Sequence, residues 1–270
     1  MLDTSPFLVR PGTSLSLTDH DPEAPSAFDG EKGESNDEQK KLTRRLAELQ
    51  AHLWAESKRG LLVVLQAMDT GGKDSTIRHV FSGVNPQGVK VWSFGVPSET
   101  ELAHDYLWRV HQRTPARGTI TIFNRSHYED VLVVRVRGLV PEDRWSRRYE
   151  HIREFEQMLG DEGTVIIKLF LNISKEEQAK RLQERLDDPE KIWKFRRGDL
   201  AERELWDDYR MAYEDALAKT STEYAPWYVV PANSKWFRNL VVSTILVQTL
   251  EAMDPRLPPP DPDLEGVVVS

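Results

Sequence analysis

Five short apolar runs, each followed by a stretch of helical periodicity, leave this chain few ways to fold. The runs fall at 60–67, 89–94, 118–123, 164–171 and 227–230. The first, Gly60-Leu-Leu-Val-Val-Leu-Gln-Ala67, is apolar on consecutive positions rather than alternating ones. A strand of that kind must be buried on both faces, which is the condition of a parallel sheet with helices above and below. The stretches at 74–82, 99–112, 127–160, 174–186, 206–219 and 235–253 supply the helices. Strand–helix alternation implies βαβ units and an α/β/α sandwich around a parallel sheet. Ahead of the first strand, Leu42, Leu46, Leu49 and Leu53 recur at spacings of three and four and predict an amphipathic helix over 36–58.

Residues 1–35, rich in Pro, Ser, Asp and Gly, read as an irregular arm. The Pro-rich acidic stretch 255–270 reads as a tail. The expected body is 36–254. The chain has no cysteine, which removes disulfides, thiolate metal sites and a thiol nucleophile. No apolar run has the length of a membrane span, and the start lacks a basic flank with an apolar core. Cytoplasmic residence is the expectation, with no membrane partner. The net charge of -8 argues against a nucleic-acid partner. Basic residues nevertheless cluster at Arg109/Arg113/Arg117, at Lys180/Arg181/Arg185 and at Lys191/Lys194/Arg196/Arg197, a pattern that suits a focused anionic ligand or plain solvated helix faces.

The chemistry concentrates where the first strand ends. Ala67-Met-Asp-Thr-Gly-Gly-Lys-Asp-Ser75 lies between a predicted strand and a predicted helix, the setting of a phosphate-binding loop. Gly71 and Gly72 let backbone N–H groups converge on phosphate oxygens, and Lys73 adds a mobile charge. The match to G-x-x-x-x-G-K-[ST] is imperfect, because Ala67 replaces the first Gly and Asp74 precedes Ser75. Asp69 is a carboxylate among anion-binding amides, which makes sense beside a metal ion; an Asx-turn is the bland alternative. A second cluster, Phe123-Asn-Arg-Ser-His-Tyr-Glu-Asp130, ends the third strand and should reach the same crevice. There Asn124, Glu129 and Asp130 are candidate metal neighbours, and Arg125 a candidate for neutralising a transferred phosphoryl group.

Together 66–77, 123–136 and 188–236 resemble the polyphosphate kinase type 2 family. The last stretch carries Asp188-Pro189, Trp193-Lys194-Phe195, Gly198-Asp199-Leu200, Leu205-Trp-Asp-Asp-Tyr209 and Ala225-Pro-Trp-Tyr-Val-Val-Pro231. The resemblance implies a P-loop kinase sandwich with a helical lid at about 180–205. It implies Mg²⁺ (Mn²⁺ as the alternative) and phosphoryl transfer between inorganic polyphosphate and adenine nucleotides. It also implies a homo-oligomer, a dimer or a tetramer built from dimers, for which the apolar helix at 240–250 is one candidate interface, with burial in the monomer core as the equal or better alternative.

By position, Asp69, Lys73 and Arg125 look catalytic. Gly71, Gly72, Lys73, Ser75, Arg125, Arg181, Arg185 and Lys194 look like phosphate-binding residues. Asp69, Asn124, Glu129 and Trp108 are the expected nucleotide contacts, and Asp69, Asn124 and Glu129 the expected metal ligands. Many members read Phe-Asp-Arg-Ser-x-Tyr-Asn-Arg where this chain has Asn124 and Glu129, and it is most similar to the subclass accepting both AMP and ADP. Trp92, Phe94, Pro97, His104 and Trp108 are candidates to wall a base or a phosphate channel, or else core. Two other readings share parts of this pattern: an ATP-dependent nucleoside monophosphate kinase and a non-catalytic nucleotide-binding protein.

Overall fold

The structure, a computed structural model, describes residues 2–23, 32–264 and 267. Parts of the expected arm (24–31) and tail (265, 266 and 268–270) lie outside the described residues. Strands β1 (Gly60–Ala67), β2 (Val89–Ser93), β3 (Ile120–Asn124), β4 (Thr164–Asn172) and β5 (Trp227–Pro231) form one parallel sheet in the order β2-β3-β1-β4-β5. All eight residues of β1 are buried, as its unbroken apolar run requires. β2 is half-exposed because it is the sheet's edge.

The helices pack in two groups. Helix α1 (Lys32–Glu56) lies against the last helix, Lys235–Met253, which also packs on α2 (Lys73–Val80). Helix α3 (Arg148–Asp161) lies against β4 and against a later helix, Trp206–Thr220. The leucine stripe of α1 is buried throughout. Between β4 and β5 run α4 (Lys175–Asp187), α5 (Gly198–Glu204) and α6 (Trp206–Thr220); after β5 comes α7 (Lys235–Met253).

One expectation needs correction. The stretch 99–112 is not one helix but two turns, Glu99–Leu102 and Trp108–His111. Asp105 explains the break: its Oδ1 accepts from the N–H groups of Leu107 (2.9 Å) and Trp108 (3.1 Å), capping a new start instead of continuing the old helix. For the apolar residues of α7 the structure bears out the alternative of burial in the core. Leu240, Val241, Ile245, Leu246, Val247 and Leu250 are each 1% exposed or less within the single chain. Their area is spent on the core, so any contact between copies must use other surfaces.

The N-terminal arm closes the other sheet edge. Leu8 bridges Tyr228 antiparallel, Val9 N–H donates to Trp227 O at 2.9 Å, and the Ser221 hydroxyl donates to Val9 O at 2.7 Å. This satisfies backbone groups that an open edge would expose. Further along, His20 O accepts from Asn172 Nδ2 (2.9 Å) and Pro22 O from Asn233 N–H (3.1 Å), tying the arm to the loops after β4 and β5.

Candidate active site

Because the strands are parallel, their C-terminal ends share one rim. Asn124 pairs with Leu65 and Leu171 with Ala67, so the loops after β1, β3 and β4 emerge side by side. The loop after β1 turns sharply into α2. Thr70 (φ 64°) and Gly72 (φ 95°) take left-handed backbone, and the Lys73 ammonium folds back to donate to Ala67 O at 3.1 Å. A Cβ on Gly71 would lie 2.4 Å from the Ala67 methyl. Ala67, the mismatch in the motif, therefore makes glycine obligatory at 71. A Cβ on Gly72 would lie 2.2 Å from Arg238 Nη1.

Arg125 also has left-handed backbone (φ 61°), and its N–H donates to Leu65 O at 3.1 Å. That conformation swings its guanidinium to Asp69, where Nη2 donates to Oδ1 at 3.0 Å. Asn124 Nδ2 donates to Asp74 Oδ1 at 2.6 Å, leaving its carbonyl oxygen for another partner. Glu129 accepts from the Gln66 amide at 3.1 Å when the amide oxygen faces Ser126. Burial raises its carboxyl above the ordinary range, opposed by Arg125 and Lys73. Beneath this loop, Tyr128 joins a sealed network. Its hydroxyl donates to Glu156 (2.8 Å), and Lys168 Nζ donates to Tyr128 (3.0 Å), Glu156 (2.5 Å) and Thr220 O (2.7 Å).

Two cavities open on this rim. One of about 270 Å³ is lined by Asp69, Arg125, Glu129, Glu202, Trp206, Tyr209 and Tyr213 among others. The other, of about 680 Å³, is lined by the whole 69–75 loop, Asn124 and Arg125. Its remaining cations are Arg78, Arg181, Arg185, Lys191, Lys194, Arg196, Lys235 and Arg238. Ten cations face four carboxylates in its lining, so it is built for a polyanion. Asp69, Arg125, Arg196 and Asp199 line both cavities, which therefore meet at the Asp69–Arg125 pair.

Not every expected residue falls where the sequence put it. Of the three expected metal ligands, Asp69 and Glu129 line the smaller cavity and Asp69 and Asn124 the larger. Ser75 lines the larger, though its hydroxyl donates to Gly72 O (2.8 Å). Trp108 lines neither; it stacks on His104 with ring centroids 4.0 Å apart. Trp92, Phe94 and Pro97 line neither as well; Phe94 packs edge-on against Phe123, and Trp92 carries the Arg113 guanidinium. No histidine lines either cavity, and His127 is sealed against Glu156.

Arg181 departs most from expectation. It is 6% exposed, and its fork is already spent on Glu177, Thr70 O (3.0 Å), Ala232 O (2.7 Å) and Asn233 O (2.9 Å). It borders the larger cavity, yet its guanidinium is already committed to bracing the loop. Arg181→Met should therefore destabilise the fold by about 3 kcal/mol, since it strips buried carbonyls of their donor. Thermal unfolding should show a Tm lower by roughly 6–12 °C. An unchanged Tm with a weaker affinity for polyphosphate would mark it as a ligand contact instead.

The sequence reading missed Arg238, Lys235 and Arg78. Arg238 is 1% exposed, its Nη1 has no hydrogen-bond partner, and burial beside Arg181 lowers its pKa to about 10. A buried cation against Gly72 with an unspent donor suits an anion in the larger cavity. The available signal was a lone arginine inside the apolar helix 235–253. Trp206, Tyr209 and Tyr213 were also missed; their spacings of three and four put them on one face of α6.

Among the described residues no helix is long and apolar enough to cross a membrane. The polyphosphate kinase 2 family model matches residues 29–258. An AMP/ADP-polyphosphate phosphotransferase of Meiothermus ruber is 60% identical over 263 residues, 97% of this chain and 98% of its own length. An ADP-polyphosphate phosphotransferase of Rhodopseudomonas palustris is 48% identical over 230 residues, 81% of this chain and 80% of its own. The crystal structure of polyphosphate kinase 2 from Arthrobacter aurescens TC1 superposes with a TM-score of 0.91 at 46% identity, covering 95% of this chain and 92% of that one. With a family match over most of its length and a P-loop site at the expected strand end, this chain belongs to the polyphosphate kinase 2 family.

Proposed function

We propose that the protein transfers the terminal phosphoryl group of inorganic polyphosphate to ADP and AMP, reversibly and without a phosphoenzyme. The observation that carries this reading is the meeting of a cationic cavity with a smaller, aromatic-lined one at Asp69 and Arg125. The names borne by the Meiothermus and Rhodopseudomonas relatives point to the same substrates. Polyphosphate fits the larger cavity, where Lys73, Arg185, Lys194 and Arg238 would hold its chain. The nucleotide fits the smaller, where Tyr209, Tyr213 and Trp206 offer an aromatic wall. Within the expected lid of about 180–205, the part at 188–205 lines both cavities through Arg196 and Asp199 and would close over them.

In the transfer, an oxygen of the nucleotide's terminal phosphate attacks the last phosphorus of the chain. The bond from that phosphorus to the bridging oxygen breaks, and polyphosphate leaves one unit shorter. The protein's task is to bring two polyanions into line and neutralise them. The donor set suits a hard cation: Asp69, Asp74 and Asn124 line the larger cavity, and their side-chain acceptors are all oxygens. Among the described residues no three His, Asp or Glu side chains gather around one point. Mg²⁺, which keeps few protein ligands and draws the rest from phosphate and water, fits that arrangement, with Mn²⁺ as the alternative. When bound it supplies charge neutralisation between donor and acceptor. We place the protein in the cytoplasm as a homo-oligomer.

The test is to mix protein, Mg²⁺, ADP and long-chain polyphosphate without ATP, and to look for ATP; then to repeat with AMP. No nucleotide phosphorylation in either case would sink the reading. AMP phosphorylation that requires ATP and ignores polyphosphate would replace it with an ordinary nucleotide kinase. For the acceptor, Glu129 sits where it can position the phosphate or a second cation in the AMP reaction. Glu129→Asn should lower the AMP:ADP rate ratio by on the order of tenfold. An unchanged ratio in parallel initial-rate assays would remove Glu129 from acceptor choice.

A further inference from the structure

The loop 69–73 is held by one face of α4 whose Gln178 also lines the smaller cavity and whose Arg181 lines the larger. Gln178 and Arg181, one turn apart, are 4% and 6% exposed. Gln178 Nε2 donates to Asp69 O at 3.1 Å, and Arg181 Nη1 donates to Thr70 O at 3.0 Å. Two successive carbonyls of the loop are thus drawn toward α4. Thr70, β-branched and left-handed at φ 64°, is in a conformation that persists only when neighbours over-determine it.

Gln178 has a second partner. Its Oε1 accepts from Arg203 Nη1 at 2.9 Å, and the same nitrogen donates to Lys175 O at 2.6 Å. Arg203 belongs to α5, within the 188–205 segment whose Arg196 and Asp199 line both cavities. The amide's orientation is fixed by chemistry: swapping its ends would set a donor against Arg203 and an oxygen against Asp69 O. One buried amide therefore links that segment to the backbone of Asp69. The two bonds act together. With Arg203 in place the amide cannot rotate, and its Nε2 stays on Asp69 O. With Arg203 withdrawn, the oxygen loses its partner and the constraint on the Asp69–Thr70 peptide is relaxed.

We propose that Gln178 is a positioning residue that couples seating of the 188–205 segment to the geometry of the phosphate loop, through Arg203 on one side and Asp69 O on the other. The claim rests on the reading of that loop as the phosphate-handling centre. Its consequence is that the loop is fully ordered only when covered, which favours transfer to a nucleotide over transfer to water.

The experiment compares Gln178→Leu, Arg203→Met, the double variant and Arg203→Lys in the full chain. Each is measured for kcat and KM in polyphosphate-driven ADP phosphorylation, for Tm, and for hydrogen exchange at the Gly71 and Gly72 amides. Each of the first two should lower kcat on the order of tenfold, the scale of a reactive group moved by a fraction of an ångström, with KM for ADP little changed. The double variant should be no worse than Gln178→Leu, because the residues act as one unit. Arg203→Lys, which keeps a donor for Oε1, should recover part of the loss. Losses that multiply in the double variant, or a wild-type kcat in Arg203→Met, would overturn the coupling. If the unaltered protein shows no polyphosphate-driven turnover, the functional reading fails, and exchange alone decides the coupling. Faster exchange at Gly71 and Gly72 in Arg203→Met supports it, and unchanged exchange refutes it.

Discussion

Lys73→Met should lower kcat for polyphosphate-driven ADP phosphorylation by on the order of a thousandfold while the protein stays folded. The estimate follows from what one preorganised charge contributes in a water-poor site, about 10²–10³ in rate. Methionine keeps the stem and loses only the ammonium, so packing against the loop is preserved. What it removes is the cation held 3.1 Å from Ala67 O within the field of Asp69, Asp74 and Glu129. The pH profile supplies a second arm. Burial, and then the neighbouring Arg125, push the Lys73 ammonium down to about 8. The charged form binds phosphate, so kcat/KM should hold below that value and fall as pH rises through it. Bound phosphate oxygens favour the ammonium, so the limb in kcat should lie at higher pH. Lys73→Arg, charged throughout, should lose the limb even if its rate is lower. A limb that persists in Lys73→Arg belongs to some other group.

The sheet was legible because burial leaves a period in the chain. The unbroken run at 60–67 could only be a doubly covered strand, and the leucines of α1 mark its inner face. The turn from β1 into α2 was legible because an apolar run followed by Gly71-Gly72-Lys73 ends a strand and opens a helix. Side-chain allegiance was less so. Arg181 and Arg185 share a helix and a spacing that suits either a lid or a brace, and only the packed loops after β1 and β5 decide that Arg181 is spent internally. Trp108 failed for a related reason: an aromatic near the rim can stack on a base or on its own His104. Tyr209 and Tyr213 were hidden because an aromatic stripe on a helix ordinarily means core, and Tyr213 is indeed buried while also lining a cavity. In each case the ambiguity lay in long-range partners, which local spacing does not encode.

Arg125→Ala should cost about 10³ in kcat, the lower end of what an arginine contributes to phosphoryl transfer. The rival account is that Arg125 merely steadies Asp69, and magnitude separates the two. The Arg125–Asp69 bond is 3.0 Å long, with side chains 44% and 36% exposed. An ion pair that open is worth about 1 kcal/mol or less. A thousandfold loss corresponds to about 4 kcal/mol, which such a pair cannot supply. A loss under tenfold would therefore favour the steadying role. Arg125→Lys should recover only a minor part, because a point charge cannot span an acceptor and a donor oxygen as the planar fork does. The backbone matters as well. Arg125 is in left-handed conformation at φ 61°, its N–H fixed to Leu65 O, so the direction of its side chain is set by the end of β3. The fork consequently stands between the two cavities before either substrate arrives, where on the proposed reading it would meet the charge on the chain's terminal phosphorus in flight.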